Sequence, residues 1–227
     1  MRILYALQGT GNGHLARAQK ILPILEEYGD LDVFVSGSNS QLQLENYQFK
    51  HHKGLSLFYN QVGKVSYKKI LKENSFKSFW KEVNHFPIEQ YDLIINDFEP
   101  ITAHSARKKK KISIGLSHQA SLLFDETPKV KNKTGETILK YYAPTTKQYG
   151  FHFEAYNDSI FLPIIRDKIR MLNPKVEDYY LVYLPSFHPS EIIEKLSFIK
   201  DSKWKVFSPF IRQISKQFNV EIYPIDE

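Results

Sequence analysis

The sequence predicts an α/β protein with a doubly wound, Rossmann-like domain at its amino end, followed by the beginning of a second such domain. An apolar strand pattern at residues 2–7 leads into the glycine-rich turn 9–14 and then into a helical pattern. Strand and helix patterns go on alternating as far as residue 116. Polar clusters follow the first, fourth and fifth predicted strands. Because parallel strands end at one edge of a sheet, these clusters predict a ligand site there.

The elements are justified by apolar periodicity and by stop residues. The first helix is predicted from Leu15 to Tyr28, because Leu15, Ala18, Leu22 and Leu25 share a face and Gly29 follows. The other predicted elements of this domain are a strand at 31–35, a short helix at 39–44, a strand at 47–51, a long helix at 66–84, a strand at 91–96, a helix through 106 and a strand at 112–116.

The domain boundary is predicted from a proline-bounded segment. Residues 1–162 form the first domain, residues 163–178 a linker, and residues 179–227 part of a second domain. That second part is predicted to contain a strand at 179–184, a helix at 188–200 and a strand at 204–207. Residues 124–150 mix lysines with aromatic side chains and are predicted to form a long basic loop.

Composition limits the class of protein. The chain has 227 residues, of which 42% are hydrophobic and 25% charged, as is typical of a globular protein with one or two cores. The absence of cysteine excludes disulfides and thiolate zinc sites. Neither a signal peptide nor a run of about 18 apolar residues is present, so we expect a cytoplasmic location. The net charge of +6 favours anionic partners.

The glycine turn predicts an anion cradle. Gly9, Gly11 and Gly13 carry no β-carbon, so backbone N–H groups can face a ligand near the positive end of the helix dipole. A nucleotide P-loop is excluded because His14 stands where its lysine is needed. A dinucleotide site is disfavoured because Asp32 lies near the start of the second strand. The alternative is that the glycines only allow the helix to pack close to its strand.

Two more polar clusters, at residues 96–100 and 117–119, are predicted to join the turn. Each has a structural explanation, since Asp97 suits a helix N-cap and His118 suits a structural hydrogen bond. Two histidines and two carboxylates at one sheet edge favour a site. The basic residues 107–111 and the lysines and tyrosines of 129–149 favour nucleic acid only weakly, because no RRM, KH or helix-turn-helix signature is present.

The residues at 9–17, 96–100 and 117–119 together resemble the amino-terminal domain of GT-B glycosyltransferases, in the branch similar to the MurG-like family 28 enzymes. The resemblance continues through residues 142–144, 150–153, 162–166 and 179–185. It implies two facing Rossmann-like domains, the first for the acceptor and the second for a nucleotide-sugar donor, with a UDP-sugar expected. It also implies an inverting displacement that needs no metal or cofactor.

The resemblance implies roles for the site residues. His14 would act as the base and Asp97 would orient it. Glu99, His118 and Gln119 would bind acceptor hydroxyls. The remaining substrate-binding residues implied are Gly9, Thr10, Gly11, Asn12, Gly13 and Arg17. A sugar or lipid-linked acceptor of the cell envelope would bring the protein to the anionic inner face of the membrane, which the basic segment 124–150 would contact.

The sequence departs from the family in its second half. After residue 178 too few residues remain for the glycine-containing turn and glutamate-bearing helix that hold the donor in this family. We therefore expect either a truncated chain, inactive on its own, or a degenerate member. Two alternatives stay open: a GT-B nucleotide-sugar epimerase, in which water replaces the acceptor, and a non-catalytic module that binds anions or nucleic acid.

Overall fold

A computed structural model describes residues 1–10, 12–37, 44, 47, 49, 51–56, 58, 66–130 and 132–225. Contacts divide the chain into two compact units. The first consists of Met1–Ser56 and Asn74–Met171, and the second of Leu57–Glu73 and Leu172–Glu227.

The helices, in chain order, are α1 Asn12–Glu26, α2 Tyr67–Glu73, α3 Phe76–His85, α4 Pro100–Lys108, α5 His118–Ser121, α6 Lys133–Tyr141, α7 Asp167–Arg170 and α8 Pro189–Leu196, with a 3₁₀ turn at Ile88–Gln90. The strands are β1 Arg2–Gln8, β2 Asp30–Ser36, β3 His51–His52, β4 Leu93–Asp97, β5 Ile114–Ser117, β6 Lys147–Phe151, β7 Ile160–Phe161, β8 Tyr180–Tyr183, β9 Trp204–Ser208, β10 Ser215–Gln217 and β11 Val220–Pro224.

Within the described residues, the first unit is built on a seven-stranded sheet in the order β3-β2-β1-β4-β5-β6-β7. All of its strand pairs are parallel. The chain runs outward from β1 to β3 and then returns to β4 on the other side of β1. This reversal between β1 and β4 is the switch point at which ligands bind in such folds. The predicted doubly wound α/β class is therefore confirmed.

The central strand β1 is buried on both faces, which its continuous apolar run predicts. Leu4 and Ala6 belong to one core cluster, while Tyr5 and Leu7 belong to the other. Helix α1 packs Leu15 into the second cluster. The sheet is therefore covered on both sides, and its carboxyl edge remains for polar residues.

Three sequence predictions for the first unit need correction. The helix predicted at 66–84 is two helices, because Ser75 caps α3 and the amide of Asn74 bonds to the backbone of Ser56 at 2.8 and 3.0 Å. The basic loop predicted at 124–150 contains α6, which Asn132 caps, and β6. Where a strand was predicted at 47–51, the described strand β3 covers only His51–His52. Of the helix predicted at 39–44, only Leu44, which is buried, lies within the described residues.

The first half of the predicted linker belongs to the first unit. Residues 163–171 lie within that unit and include α7. Arg166 donates a hydrogen bond to Gln19 of α1 at 3.3 Å, and Lys20 forms an ion pair with Asp167. These contacts hold the segment against the helix that carries His14.

In its described part, the second unit has a four-stranded sheet in the order β10-β11-β9-β8, in which only β10 is antiparallel. Helix α8 packs Ile192 and Ile193 into a cluster with Val206 and Val220. The helix is shorter than predicted, since His188 caps it and it ends at Leu196. No helix among the described residues has the length and apolar character needed to cross a membrane.

Candidate functional site

The turn after β1 places the start of α1 at the switch point. The Gly9 amide donates to the Ser36 carbonyl at 2.6 Å, which joins the ends of β1 and β2. A β-carbon at Gly9 would lie 2.9 Å from His51 Nε2 and 3.1 Å from the Gly37 carbonyl, so this close approach requires glycine. A β-carbon at Gly13 would meet nothing nearer than 3.9 Å. Packing therefore explains Gly9 but not Gly13.

His14 and Asp97 form a buried pair. His14 Nδ1 lies 2.8 Å from Asp97 Oδ1, with His14 6% exposed and Asp97 fully buried. Arg17 Nη2 lies 2.9 Å from the same nitrogen. A carboxylate only accepts, so we assign the Nδ1 proton to the bond with Asp97. Arg17 Nη2 also only donates, so its approach to Nδ1 is then a close contact of two donors, and its hydrogen bonds go to the Asp97 oxygens. In the neutral form of the ring this tautomer has its lone pair at Nε2.

Arg17 binds the same carboxylate. Its Nη2 donates to both oxygens of Asp97 at 2.8 and 3.0 Å, and its Nε donates to Oδ2 at 3.2 Å. Burial raises the pKa of Asp97, but His14 and Arg17 outweigh burial and hold it below its ordinary value. Burial lowers the pKa of Arg17, and Asp97 outweighs that effect and raises it. Asp97 is therefore a charged acceptor with its oxygens fixed.

Tyr5 adds a contact to this carboxylate from inside the core. Its hydroxyl lies 3.5 Å from Asp97 Oδ2. Burial, followed by the Asp97 charge, raises the pKa of Tyr5 well above its ordinary value. The phenol therefore stays protonated, and the carboxylate remains the charged member of this contact.

Helix α5 brings Gln119, but not His118, next to the pair of His14 and Asp97, which we call the dyad. Gln119 Nε2 lies 3.4 Å from His14 Nε2, and its Oε1 is buried without a hydrogen-bond partner among the described residues. His118 is exposed, and its Nδ1 donates to the Phe151 carbonyl at 2.6 Å. The predicted Ser117–Gln119 cluster therefore contributes an amide next to the base and a histidine whose Nδ1 is bound to backbone.

Glu99 caps a helix in this structure. Its side chain is fully buried and caps α4, accepting from the Ile101 and Thr102 amides at 2.8 and 2.7 Å and from the Ser36 hydroxyl. The N-cap expected for Asp97 is thus supplied by Glu99, two residues later. Both oxygens of Glu99 are thus used in capping α4 and binding Ser36, and its role in binding the acceptor stays a prediction.

Asn96 shapes the turn that separates the two carboxylates. Its Oδ1 accepts from the Glu99 amide at 2.9 Å, and its Nδ2 donates to the Glu99 carbonyl at 2.7 Å. Phe98, inside this turn, has φ of 60°, which is uncommon for a residue other than glycine. The turn directs Asp97 toward α1 and Glu99 toward α4.

Gln8 is a buried polar residue at the switch point that the sequence analysis did not single out. It is the last residue of β1 and is buried. Its Nε2 lies 3.1 Å from Thr10 Oγ1, 3.0 Å from the Leu55 carbonyl and 2.6 Å from the Tyr142 hydroxyl. Its Oε1 has no partner among the described residues. A polar side chain that closes an apolar strand at the switch point was the available signal.

A cavity of about 260 Å³ adjoins the start of α1. Its described lining includes Gly13, Arg17, His118, Phe151 and Arg166. Small-molecule sites have volumes of about 300–1,000 Å³, so this cavity fits part of a ligand. Two arginines at its wall favour an anionic or hydroxyl-rich group. No group of three or more metal-ligating side chains occurs among the described residues.

The other predicted residues take less direct positions. Thr10 accepts from Gln8, and Asn12 is the half-buried first residue of α1. Gly11 lies outside the described residues. The structure therefore brings together His14, Asp97, Arg17 and Gln119.

Comparison with known proteins identifies the family. Two solved structures are similar, each at 11% identity over 99% of this chain: the glycosyltransferase SnogD from Streptomyces nogalater, with a TM-score of 0.42, and MurG from Acinetobacter baumannii, with a TM-score of 0.44. This chain covers 71% and 66% of their lengths. A search of curated proteins found no match. The family model described as Glycosyl transferase family 1 matches residues 1–216, which confirms the resemblance to a glycosyltransferase. The chain therefore belongs to Glycosyl transferase family 1.

Proposed function

We propose that the protein transfers a sugar from a nucleoside-diphosphate sugar, a UDP-sugar in our proposal, to an acceptor hydroxyl with inversion at the anomeric carbon. The observation that carries this proposal is the 2.8 Å bond between His14 Nδ1 and the buried carboxylate of Asp97. It leaves Nε2 as the basic atom of a ring whose orientation is fixed. Family membership supports sugar transfer, and the dyad supports His14 as its base.

The reaction is a single displacement. The acceptor hydroxyl gives its proton to His14 Nε2 while its oxygen forms a bond to the anomeric carbon of the donor. The bond from that carbon to the diphosphate breaks, and the leaving group keeps the electron pair. Attack opposite the leaving group inverts the centre. Asp97 stays ionised and stabilises the imidazolium, as the carboxylate does in a Ser-His-Asp triad.

Arg17 and Gln119 support the base in different ways. Arg17 binds both oxygens of Asp97, so the carboxylate stays in place while His14 gains and loses a proton. Gln119 lies 3.4 Å from His14 Nε2, where the acceptor hydroxyl must come. In our proposal the acceptor displaces this amide contact and binds in the cavity lined by Arg17, His118 and Arg166.

The proposed acceptor is a component of the cell envelope. We place acceptor binding in the first unit and donor binding in the second, with a lipid-linked or glycolipid acceptor at the inner face of the cell membrane. The sequence resemblance and the net charge of +6 support this. Transfer in this proposal needs no metal.

A product assay tests the proposal. The full chain is incubated with UDP- and GDP-sugars and with hydroxyl acceptors, with and without a chelator, and products are identified by mass spectrometry and by NMR of the anomeric centre. UDP release with an inverted glycoside, unaffected by chelator, is expected where donor binding is complete. A chain without turnover on any donor would agree with the truncated or degenerate chain that the sequence predicts. Interconversion of free nucleotide-sugars would instead indicate an epimerase. Retention on RNA with a steep salt dependence, without turnover, would indicate a binding module.

A further inference from the structure

A second cavity, of about 500 Å³, opens on the first unit away from the dyad. Its described lining includes Arg107 in the last turn of α4, Lys110 to Ile112 between α4 and β5, and Lys140 and Tyr141 at the end of α6. We call this cavity the basic groove. Its volume lies within the range of about 300–1,000 Å³ that small-molecule sites occupy.

The basic groove lies at the opposite edge of the sheet from the dyad. Residues 110–113 lead into β5, and residues 144–146 lead into β6, so the lining gathers at the amino ends of these two parallel strands. His14 and Asp97 belong to the carboxyl edge. No residue is shared between the groove and the dyad, and the groove is therefore a separate site.

The charge of the groove is of one sign. Four of its described lining residues are cationic, namely Arg107, Lys110, Lys111 and Lys140, and none is acidic. Basic residues near helix C-termini are expected, since they interact favourably with the helix dipole. The charge of the neighbouring Lys109 is also balanced by an acidic residue, because Lys109 forms an ion pair with Glu89 at 2.7 Å. Among the described residues, Arg107 and Lys110 have no such ion pair.

The backbone conformation of Lys110 is uncommon for a residue other than glycine. It has φ of 54°, in the left-handed region. Its amide donates to the Arg107 carbonyl, and the Lys111 amide donates to the Ala106 carbonyl, which together form a Schellman ending of α4. Glycine is favoured at this position, and a lysine there carries backbone strain. The strained position adds an exposed positive charge to the wall of the groove.

We propose that the basic groove binds a phosphorylated small molecule. Phosphate oxygens accept charge-assisted hydrogen bonds from arginine and lysine, and four cations can neutralise more than one phosphate charge. Tyr141 is 51% exposed and Ile112 is 67% exposed, so an apolar or planar part of the ligand has side chains to cover. This inference is independent of the proposed glycosyltransfer.

Titration calorimetry with inorganic pyrophosphate tests the groove. The full chain, Lys110→Gly, Arg107→Gln and the control Lys195→Gln on α8 are compared at equal salt. Glycine relieves the strain at position 110, so Lys110→Gly is expected to unfold at the same temperature as wild type or higher. Each groove variant should weaken binding about tenfold, the effect of losing one hydrogen bond to a charged group. Lys195→Gln should bind like wild type.

The variants also locate the bound pyrophosphate. His14→Gln should keep wild-type affinity, because the dyad lies at the other edge of the sheet. Unchanged affinity in both groove variants, or equal losses in Lys195→Gln, would overturn the proposal. Binding that His14→Gln abolishes would place the pyrophosphate in the glycine turn and would also overturn it.

Vesicles distinguish the source of the phosphate. Co-sedimentation with phosphatidylglycerol vesicles that is lost in Lys110→Gly would identify a lipid headgroup as the ligand. Pyrophosphate binding without any such vesicle effect would identify a free phosphorylated molecule. Both outcomes support the groove as a phosphate site. Vesicle and pyrophosphate binding that stay unchanged in Lys110→Gly would contradict it.

Discussion

Three variants test whether His14 and Asp97 act as one catalytic unit: His14→Ala, Asp97→Asn and the double substitution. His14→Ala removes the proposed base. Asp97→Asn keeps the shape of the side chain but puts a neutral amide where the carboxylate now accepts from His14 Nδ1 and Arg17. The ring then loses the partner that fixes its tautomer. Both single changes should therefore remove the same step of the reaction.

The expected losses of activity follow from that shared step. General-base catalysis contributes about 10²–10⁴-fold, so His14→Ala should lower kcat/KM by about 10³-fold. Asp97→Asn should lower it by a similar factor, since it disables the same base. The double variant should lose little more than the worse single variant.

Stability should separate the two single variants. Asp97→Asn leaves the guanidinium of Arg17, whose side chain is only 15% exposed, without its anion, and removing one member of a buried ion pair costs about 3–5 kcal/mol. His14→Ala leaves that ion pair intact and loses one charged hydrogen bond, which costs about 1.5–3 kcal/mol. Whole domains are stable by only about 5–15 kcal/mol, so Asp97→Asn must be assayed well below its melting temperature.

The assay combines kcat/KM with urea unfolding of each variant. A matched control is the His52–Glu82 pair, which has the same chemistry and a similar distance of 2.9 Å but is partly exposed. His52→Ala should leave turnover unchanged. Additive losses in the double variant would show that His14 and Asp97 do not act together. Activity of His14→Ala within a few-fold of wild type would remove His14 from the role of base.

Two further predictions concern packing and the membrane. Gly150→Ala should destabilise the protein by about 1–3 kcal/mol or more in urea unfolding, because its β-carbon would lie 2.4 Å from Ser121 Cα. Gly13→Ala should be neutral, because its β-carbon would meet nothing nearer than Arg17 at 3.9 Å, and equal effects of the two changes would contradict the packing. Changing Lys133 and Lys147 to glutamine should weaken the binding free energy to anionic vesicles by about 1 kcal/mol each, measured by co-sedimentation. Unchanged vesicle binding would refute a membrane role for the basic segment 124–150.

The outline of the first unit was predictable because its strongest patterns coincide with its most buried elements. Residues 3–7 form an uninterrupted apolar run, which matches a central strand buried on both faces. The parallel order then brings the ends of β1 and β4 to the same edge. Asp97 follows from that rule, since it pairs in register with Leu7 of β1. Its contact with His14 needed the structure, because sequence spacing does not show which way a side chain points.

The errors occur where short polar side chains decide the local structure. Ser75 begins α3 by accepting one backbone hydrogen bond, and Asn132 begins α6 by accepting two, and the helical periodicity of the surrounding sequence does not reveal either start. Glu99, for which the resemblance implies acceptor binding, caps α4 with its side chain. Lys129 belongs to the predicted basic loop, but its ammonium donates to the Leu122 and Phe124 carbonyls at 3.0 and 2.8 Å. Such choices depend on tertiary contacts.

The two neighbouring carboxylates differ in what surrounds them. Asp97 lies between a guanidinium and an imidazole, and these hold its pKa below the ordinary value of 3.8 against the effect of burial. Glu99 accepts only from neutral hydroxyl and amide donors. Burial therefore prevails over these hydrogen bonds and raises the pKa of Glu99 above 4.5. One carboxylate is stabilised as an anion, and the other resists ionisation.

Opposite pKa displacements predict opposite pH dependence. The stability that ionised Asp97 contributes is present above pH 3.8 and is lost as the pH falls through its lower folded pKa. The stability linked to Glu99 is fully present below pH 4.5 and is lost as the pH rises through its higher folded pKa. Urea unfolding from pH 3 to 8 measures both. Relative to wild type, Asp97→Asn should become more destabilising as the pH rises and Glu99→Gln less so. Parallel profiles would mean that Arg17 and His14 do not set the charge of Asp97, and the argument for a fixed, ionised partner of the base would fail.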